Sequence, residues 1–436
     1  MMIRYSSGIG AQLAIFLAAT LCVSPLCGAA EWSAQPSVRL ERAHDNNPLL
    51  TVQPHSAVNT SILAPKVDLG LTSDIWQVTG SAEAVQNRYS GGGDLDSDDR
   101  YFSLGTAYAT ERSIWKLNGT SSKNSALSYV GSDAGVVDVQ KTYDSRSISP
   151  SVRWNLNELT QLVLSHSYSS VSYVDGQSVN LNDYSQRNTS IQLSKKINPN
   201  DTAFVTVDYS VTHVPTFANS SDLTMNNLSP TVSYLSEELV YQAGFTREFS
   251  ETEKATFSMG RSRTTSAIEQ RRLFGSEICS FRGPLYTGPI PCHSETVHSK
   301  SSSSVYNISL DKKFNEETMH VTVSFSRAFD PSAYGGQIQT DSQNISLSQQ
   351  FNSRLTGNFS IDNYGYKDET GGSALSASRH LYIVRPGLSW MWTPELSTGL
   401  SYQYMHIKRS YEDKEAISNS AHLSLIYQWP KMSISR

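Results

Sequence analysis

The stretch Asn344–Tyr366 reads NISLSQQFNSRLTGNFSIDNYGY, and its pattern decides the fold. Ile345, Leu347 and Phe351 alternate with Asn344, Ser346 and Ser348. After a turn at Asn352–Arg354, Leu355, Phe359 and Ile361 alternate with Thr356, Asn358, Ser360 and Asp362. A period of two is the period of a strand, so the stretch reads as a hairpin with one apolar face. Its other face is polar but almost uncharged, which suits a wet interior wall better than the Lys/Glu-rich surface of a soluble sheet.

The same unit recurs along the chain. In Tyr101–Ala109, Phe102, Leu104 and Tyr108 oppose Ser103, Gly105 and Ala107. In Val305–Phe314, Tyr306, Ile308 and Leu310 oppose Asn307, Ser309 and Asp311. In His320–Arg327, Val321, Val323 and Phe325 oppose His320, Thr322, Ser324 and Ser326. No sustained helical period appears, and after the N-terminal segment no run of 18 apolar residues appears either.

Short turns are expected at Asp74–Ile75, Thr110–Arg112, Asn155–Glu158, Asn198–Asp201, Ser250–Glu253, Asn315–Glu317, Asn352–Arg354 and Thr393–Glu395. Between them fall longer loops at Ser90–Asp99, Val174–Asp183, Pro215–Met225, Ala267–Ser299, Asp330–Ile338, Lys367–Ser378 and Arg409–Ile417. Regular short/long alternation places all tight connections at one end of the strands and all long ones at the other. That is how outer-membrane barrels are built, with short periplasmic turns and long external loops.

The expected fold is therefore all-β: a transmembrane antiparallel up-and-down β-barrel of about 18 strands, from Pro36–His44 to Ser418–Trp429. Asn226–Phe249 is read as one strand, which keeps the count even; a count of 16 is the alternative. A soluble sandwich or propeller is the competing fold, but no blade-length repeat is present. The last strand carries Leu423, Leu425, Tyr427 and Trp429 on one face, as barrel-terminal strands do, and residues 430–436 extend beyond it.

The 436-residue chain has formal net charge −5 and 17% charged residues, against a nucleic-acid partner, which wants a basic stripe. Its 22 Tyr, beside 14 Phe and 7 Trp, suit a surface apolar at one end and wet at the other. Arg4, the apolar run Leu13–Val23 and the small residues Gly28–Ala30 have the form of a secretory signal over residues 1–30. Cys22 and Cys27 lie inside it, each after a bulky Leu where a lipoprotein signal prefers a small residue. The barrel is expected over 31–429, in the outer membrane of a Gram-negative cell.

Cys279 and Cys292 then form the one cysteine pair of the exported chain, read as a disulfide within the longest loop, with two free thiols as the alternative. That loop, CSFRGPLYTGPIPC, would fold over the mouth or simply be stabilised by the bridge.

Nothing in the sequence resembles a nucleophile elbow, a zinc-binding HExxH or a phosphate loop, and the expectation is no enzyme and no cofactor. His166 and His320 lie near Ser and Thr, but with Ser this abundant such neighbours arise by chance, and solvated histidines are expected. Asp94, Asp96 and Asp98 alternate as in calcium loops, yet Asp99 stands where an EF-hand needs Gly and Gly105 where it needs Glu. A solvated acidic loop is the plain reading, and weak Ca²⁺ or Mg²⁺ bridging to lipopolysaccharide the other. Arg153, Arg385, Asn358 and Asp362 are lumen-wall candidates, the arginines either meeting acidic sugar groups or pairing with inward carboxylates.

A resemblance enters on particular residues: Pro36–Glu41 (PSVRLE), Asp45–Asn47 (DNN), Pro65–Leu69 (PKVDL), Tyr89 before Asp94, Asp96 and Asp99, Pro150–Trp154 (PSVRW), and Tyr173 with Asp183–Tyr184. These resemble the outer-membrane β-barrel proteins associated with exopolysaccharide and PEP-CTERM/exosortase systems. The resemblance implies a porin-like barrel linked to exopolysaccharide export or assembly, and carries over no catalytic residue. Expected partners are outer-membrane lipid, lipopolysaccharide, polysaccharide and periplasmic export components. The rival functions are a general diffusion porin and an outer-membrane lipid-modifying enzyme.

Overall fold

A computed structural model describes residues 30–435 apart from 53–56, 92–94, 126–140, 177–180, 216–230, 283–286, 315–317, 332–336, 369–377 and 410–414, and omits side chains for 231–232, 268–295, Pro331 and Asp368. The signal segment up to residue 29, and Asp94, lie outside the described residues.

The strands are β1 (Glu31–Asp45), β2 (Val58–Thr72), β3 (Trp76–Ser90), β4 (Ser97–Ala109), β5 (Ser113–Ser125), β6 (Thr142–Asn155), β7 (Thr160–Tyr173), β8 (Tyr184–Asn198), β9 (Asp201–Val214) and β10 (Thr231–Ser250). They continue as β11 (Glu253–Arg282), β12 (Thr287–Phe314), β13 (Met319–Pro331), β14 (Gln337–Gln350), β15 (Leu355–Asp368), β16 (Arg379–Met391), β17 (Leu396–Arg409), β18 (Ala416–Gln428) and the short β19 (Met432–Ser435). Each of the first 18 pairs antiparallel with its sequence neighbours, and β1 pairs with β18, which closes the sheet into an 18-strand barrel. Of Asn226–Phe249, the described part from Thr231 onward is one strand, β10, as the parity argument required.

The tight end is built by one repeated device. In the turns after β6, β14 and β16, the Asn157, Asn352 and Thr393 side chains accept main-chain N–H groups two and three residues on. The residue before each, Leu156, Phe351 or Trp392, donates its N–H to the first residue of the next strand at 2.9 Å. A short side-chain acceptor thus satisfies the donors that a sharp reversal leaves unpaired.

Residues opposite one another in the ladder share a face, and the apolar set is consistently external. Ile345 faces Ile361 and Leu347 faces Phe359, with Ile345 41% and Phe359 37% exposed. Near the tight turns the outer face carries Trp76, Tyr108, Trp115, Trp154, Trp390 and Tyr427, an aromatic girdle at one membrane interface. A second girdle, of tyrosines, lies toward the other end at Tyr168, Tyr209, Tyr241, Tyr306 and Tyr382.

Residues 430–435 are more than a tail. β19 resumes the line of β18 against β1, but the register slips by one residue: Ser37 faces Gln428, whereas Ala34 faces Met432. A one-residue slip exchanges the two faces. Leu425 and Tyr427 face outward at odd positions, and past Pro430 it is Met432 and Ile434 that face outward, 57% and 68% exposed. The bulge keeps the outer surface apolar to the rim.

One expectation is overturned. Residues 267–282 and 287–299 are the upper parts of β11 and β12, paired strands where a loop was expected. β10 pairs with β11 only as far as Gln270, and β13 with β12 only from Tyr306, so beyond these the two strands pair with each other alone. Pro289 and Pro291 lie two apart on a strand with a free edge, where a missing N–H need not break the ladder.

Candidate functional site

The concave side is identified by contacts between strands that are not neighbours. Gln337 of β14 donates to Glu238 of β10 at 3.0 Å and accepts from Ser236 at 3.2 Å, which only side chains inside the barrel can do. Glu238 also accepts from Ser262 at 2.5 Å and from Ser210 at 3.4 Å. This buried carboxylate therefore gathers three strands and a fourth from across the chord.

Below the external mouth the inner wall is a lattice of hydroxyl and amide pairs: Ser81 with Ser103 at 2.7 Å, Thr120 with Ser147 at 2.7 Å, Ser326 with Ser342 at 2.6 Å. Charges on this face meet one another. Arg385 donates through Nη1 to Asp362 and through Nε to Gln403, each at 2.7 Å, and Asn344 donates to the same carboxylate. Arg39 pairs with Glu41, and Glu41 in turn meets His422 at 2.8 Å. Lys66 pairs with Asp68 at 2.9 Å. A groove of about 380 Å³ is lined by His320, Ser346, Ser348, Asn358, Ser360 and Arg385 together with the apolar Leu347, Phe359, Leu388 and Leu400.

The external third between β14 and β18 differs. Ile338, Tyr366, Leu381, Ile383, Met405, Ile407 and Ala416 face inward there, and Leu50 of the first external connection packs among them, 1% exposed. Leu50 adopts φ of +50°, a conformation that a side chain rarely takes and that packing and hydrogen bonds must hold. Asn47 supplies them: its amide donates to Thr51 O at 2.9 Å and Ile417 O at 3.0 Å, and its Oδ1 accepts from Thr51 N at 3.2 Å. Arg409 donates to Leu50 O at 3.1 Å. The Asp45–Asn47 motif is thus the hinge that folds this connection into the mouth. Full burial of a leucine contributes about 1.5–3 kcal/mol, and the neutral hydrogen bonds about 0.5–1.5 kcal/mol each.

Asp362, Asn358 and Arg385 are on the inner wall, and Arg385 takes the carboxylate-paired alternative. Arg153 shares the parity of Ser147 and Ser151, inside, at the tight-turn end and away from the other three. Asp96 accepts from Tyr89 N at 2.8 Å, and Asp98 pairs with Arg88 at 2.7 Å on the outer face. Asp99 turns inward and accepts from Ser125 N at 2.9 Å. Among the described residues no group of three metal-ligating side chains gathers. His166 lies on the outer face against Thr189, and His320 on the inner face against Asp311. The register sets Cys279 opposite Ile290 and Cys292 opposite Glu277, two rungs apart on one ladder.

What sequence reasoning missed is the apolar mouth. Its signal was Leu381–Val384, LYIV, four apolar residues in a row with both parities filled, the mark of a strand covered on both faces.

A closed 18-strand barrel with an apolar outer belt, two aromatic girdles and a hydrogen-bonded polar interior is an outer-membrane β-barrel protein. No protein-family model matches the chain, and no curated protein does. Among solved structures it is similar to the ferric-catecholate import receptor Fiu from E. coli K12, at 10% identity over 90% of this chain and 81% of that one, TM-score 0.46. The FrpB iron transporter from Neisseria meningitidis aligns at 9% identity over 91% and 81%, TM-score 0.47. The copper transporter OprC aligns at 9% identity over 88% of this chain and only 64% of its own length, TM-score 0.46. At such values nothing about a ligand passes from these proteins to this chain.

Proposed function

We propose that the barrel is a gated conduit for hydroxyl-rich, sugar-like solutes, acting with exopolysaccharide export or assembly. The observation that carries this reading is the pairing of two regions in one lumen. A Ser/Thr/Asn wall offers both donors and acceptors, as sugar hydroxyls require. An apolar mouth above it is covered by an inward-folded connection. A permanently open diffusion porin has no use for Leu50 seated on Leu381, Ile383 and Ile407, which favours the gated reading over the general porin. The link to exopolysaccharide rests on the resemblance carried by residues such as Asp45–Asn47.

The test is single-channel conductance in planar bilayers with neutral oligosaccharides as blockers, beside measurement of surface polysaccharide in a deletion strain. Low conductance that rises when residues 46–52 are replaced by a short Gly/Ser link, with oligosaccharide block of the opened form, supports the reading. High basal conductance indifferent to sugars returns the protein to the diffusion porins. Unchanged surface polysaccharide in the deletion strain sinks the export link.

A further inference from the structure

The outer face carries a cationic patch just external to the tyrosine girdle. On β11, Phe257 and Met259 face lipid, and the next outward positions are Arg261 and Arg263. Arg261 faces Ser304 and Arg263 faces Ser302 on β12, and Lys300 follows opposite Thr265. All three cations are exposed, while Ser262, Thr264 and Ser266 between them are buried on the inner face. The alternation fixes their direction: these charges point away from the lumen, toward the membrane.

Elsewhere on this rim, among the described residues, Arg42 meets Ser61 and Arg187 lies over Tyr168 without an ion pair, whereas two other outward arginines are neutralised. Arg88 pairs with Asp98 at 2.7 Å, and Arg327 holds Asp341 through both Nε and Nη2. Among the described residues Arg261, Arg263 and Lys300 form no ion pair. Glu237 stands opposite Thr265 on that face and forms no ion pair with any of the three. The Arg263 guanidinium lies 5.8 Å above the Tyr241 ring, and that of Arg327 5.3 Å above Tyr306. These stacked pairs stand at the height where an acyl region gives way to headgroups. Directly beneath are Phe257, Met259 and Ile308, an apolar surface for chains.

We propose that Arg261, Arg263 and Lys300 bind the phosphate groups of a phosphorylated glycolipid of the outer leaflet, lipopolysaccharide, whose acyl chains lie on the apolar belt below. Three unneutralised cations over an apolar band match an anionic headgroup over hydrocarbon in charge and in order. Arg and Lys both suit phosphate, Arg as a fork and Lys as a point charge. This assignment is independent of what passes through the lumen.

The test uses the full mature barrel in phosphatidylcholine vesicles containing diphosphoryl lipid A, fully dephosphorylated lipid A, or phosphatidylglycerol at matched charge. Lipid bound per barrel and the temperature of the heat-induced gel-mobility shift are read. Diphosphoryl lipid A is expected to bind most tightly and raise the transition. Replacing all three cations by Gln should weaken that binding on the order of 100-fold, from roughly fivefold per removed surface charge. Arg261→Lys with Arg263→Lys should retain binding, and Arg88→Gln should leave it unchanged, which separates a lost site from a misfolded barrel. Equal response to dephosphorylated lipid A, equal response to phosphatidylglycerol, or undiminished binding by the triple Gln variant overturns the proposal.

Discussion

The Asn47 side-chain amide donates to the Ile417 main-chain carbonyl at 3.0 Å, and so ties the first external connection to the last full strand of the barrel. The tie crosses the seam where β1 meets β18. The same residue that closes the mouth therefore also bridges the joint at which the barrel closes.

Opening the mouth should follow from loosening this tie. Asn47→Ala removes both carbonyl contacts and leaves Ile417 O without that donor; Leu50→Asp puts a charge among Leu381, Ile383 and Ile407. Loss of the neutral hydrogen bonds costs about 0.5–1.5 kcal/mol each, so Asn47→Ala should raise the open fraction roughly tenfold. Leu50→Asp should leave the mouth open. Conductance in planar bilayers reads both, and wild-type conductance from Leu50→Asp would show that the loop does not close the path.

Arg385 should resist replacement by Lys. Its Nε and Nη1 reach Gln403 and Asp362 from one planar group, which an ammonium on a flexible stem cannot reproduce. Arg385→Ala leaves the carboxylate of Asp362, itself 7% exposed, with only Asn344 of its two side-chain donors. Loss of a donor to a buried carboxylate costs about 1–3 kcal/mol, so the heat-modifiable gel transition should fall for Ala and nearly as far for Lys. A double change of Arg385→Gln with Asp362→Asn should restore part of the loss. Equal stability of Arg385→Ala and wild type would mean the pair contributes nothing.

The acidic residues at the external ends act as caps. Asp183 accepts from Tyr173 N at 2.7 Å and from Ser172 Oγ at 2.8 Å, and Asp96 repeats the first contact with Tyr89 N. Asp183→Ala should fray the top of β7 and speed proteolysis in the connection to β8, while barrel melting stays unchanged. Asp183→Asn, which keeps one acceptor, should be intermediate. Protection equal to wild type in Asp183→Ala would remove the capping role.

How far the sequence reached follows from which constraints are local. Ile345, Leu347, Phe359 and Ile361 declared their face because a lipid-covered strand alternates strictly, whereas the count of 18 needed the requirement of an even number to read Asn226–Phe249 as one strand. Asp45–Asn47 stood out as a motif, but its role did not, because Ile417 and Arg409 are separated from it by almost the whole chain. Pro289 and Pro291 lie on a strand where the sequence suggested a loop. Proline marks a loop on average, and its tolerance at a free edge depends on a neighbour strand being absent, which is a property of the fold. The partner of Arg385 was open between solute and carboxylate until β15 and β16 were placed side by side.

The slip at Pro430 yields the sharpest test of how the barrel ends. Past Trp429 the outward positions change from odd to even, so that Met432 and Ile434 face lipid and Ser433 faces away, opposite Ser33. Deleting Pro430 should remove the extra residue and exchange the faces, turning Ser433 outward and both apolar side chains inward. The expected result is less folded barrel in the outer membrane, read as the heat-modifiable band. Ser433→Leu in the same chain should recover part of it, since the outer position is apolar again. Near an interface a polar change on the lipid face costs little, about 0–1 kcal/mol per residue. The deletion should therefore reduce the folded fraction by a few-fold and not abolish it. Full assembly without Pro430, or no recovery with Ser433→Leu, would show that β19 pairs with β1 without any demand on which side its apolar residues face.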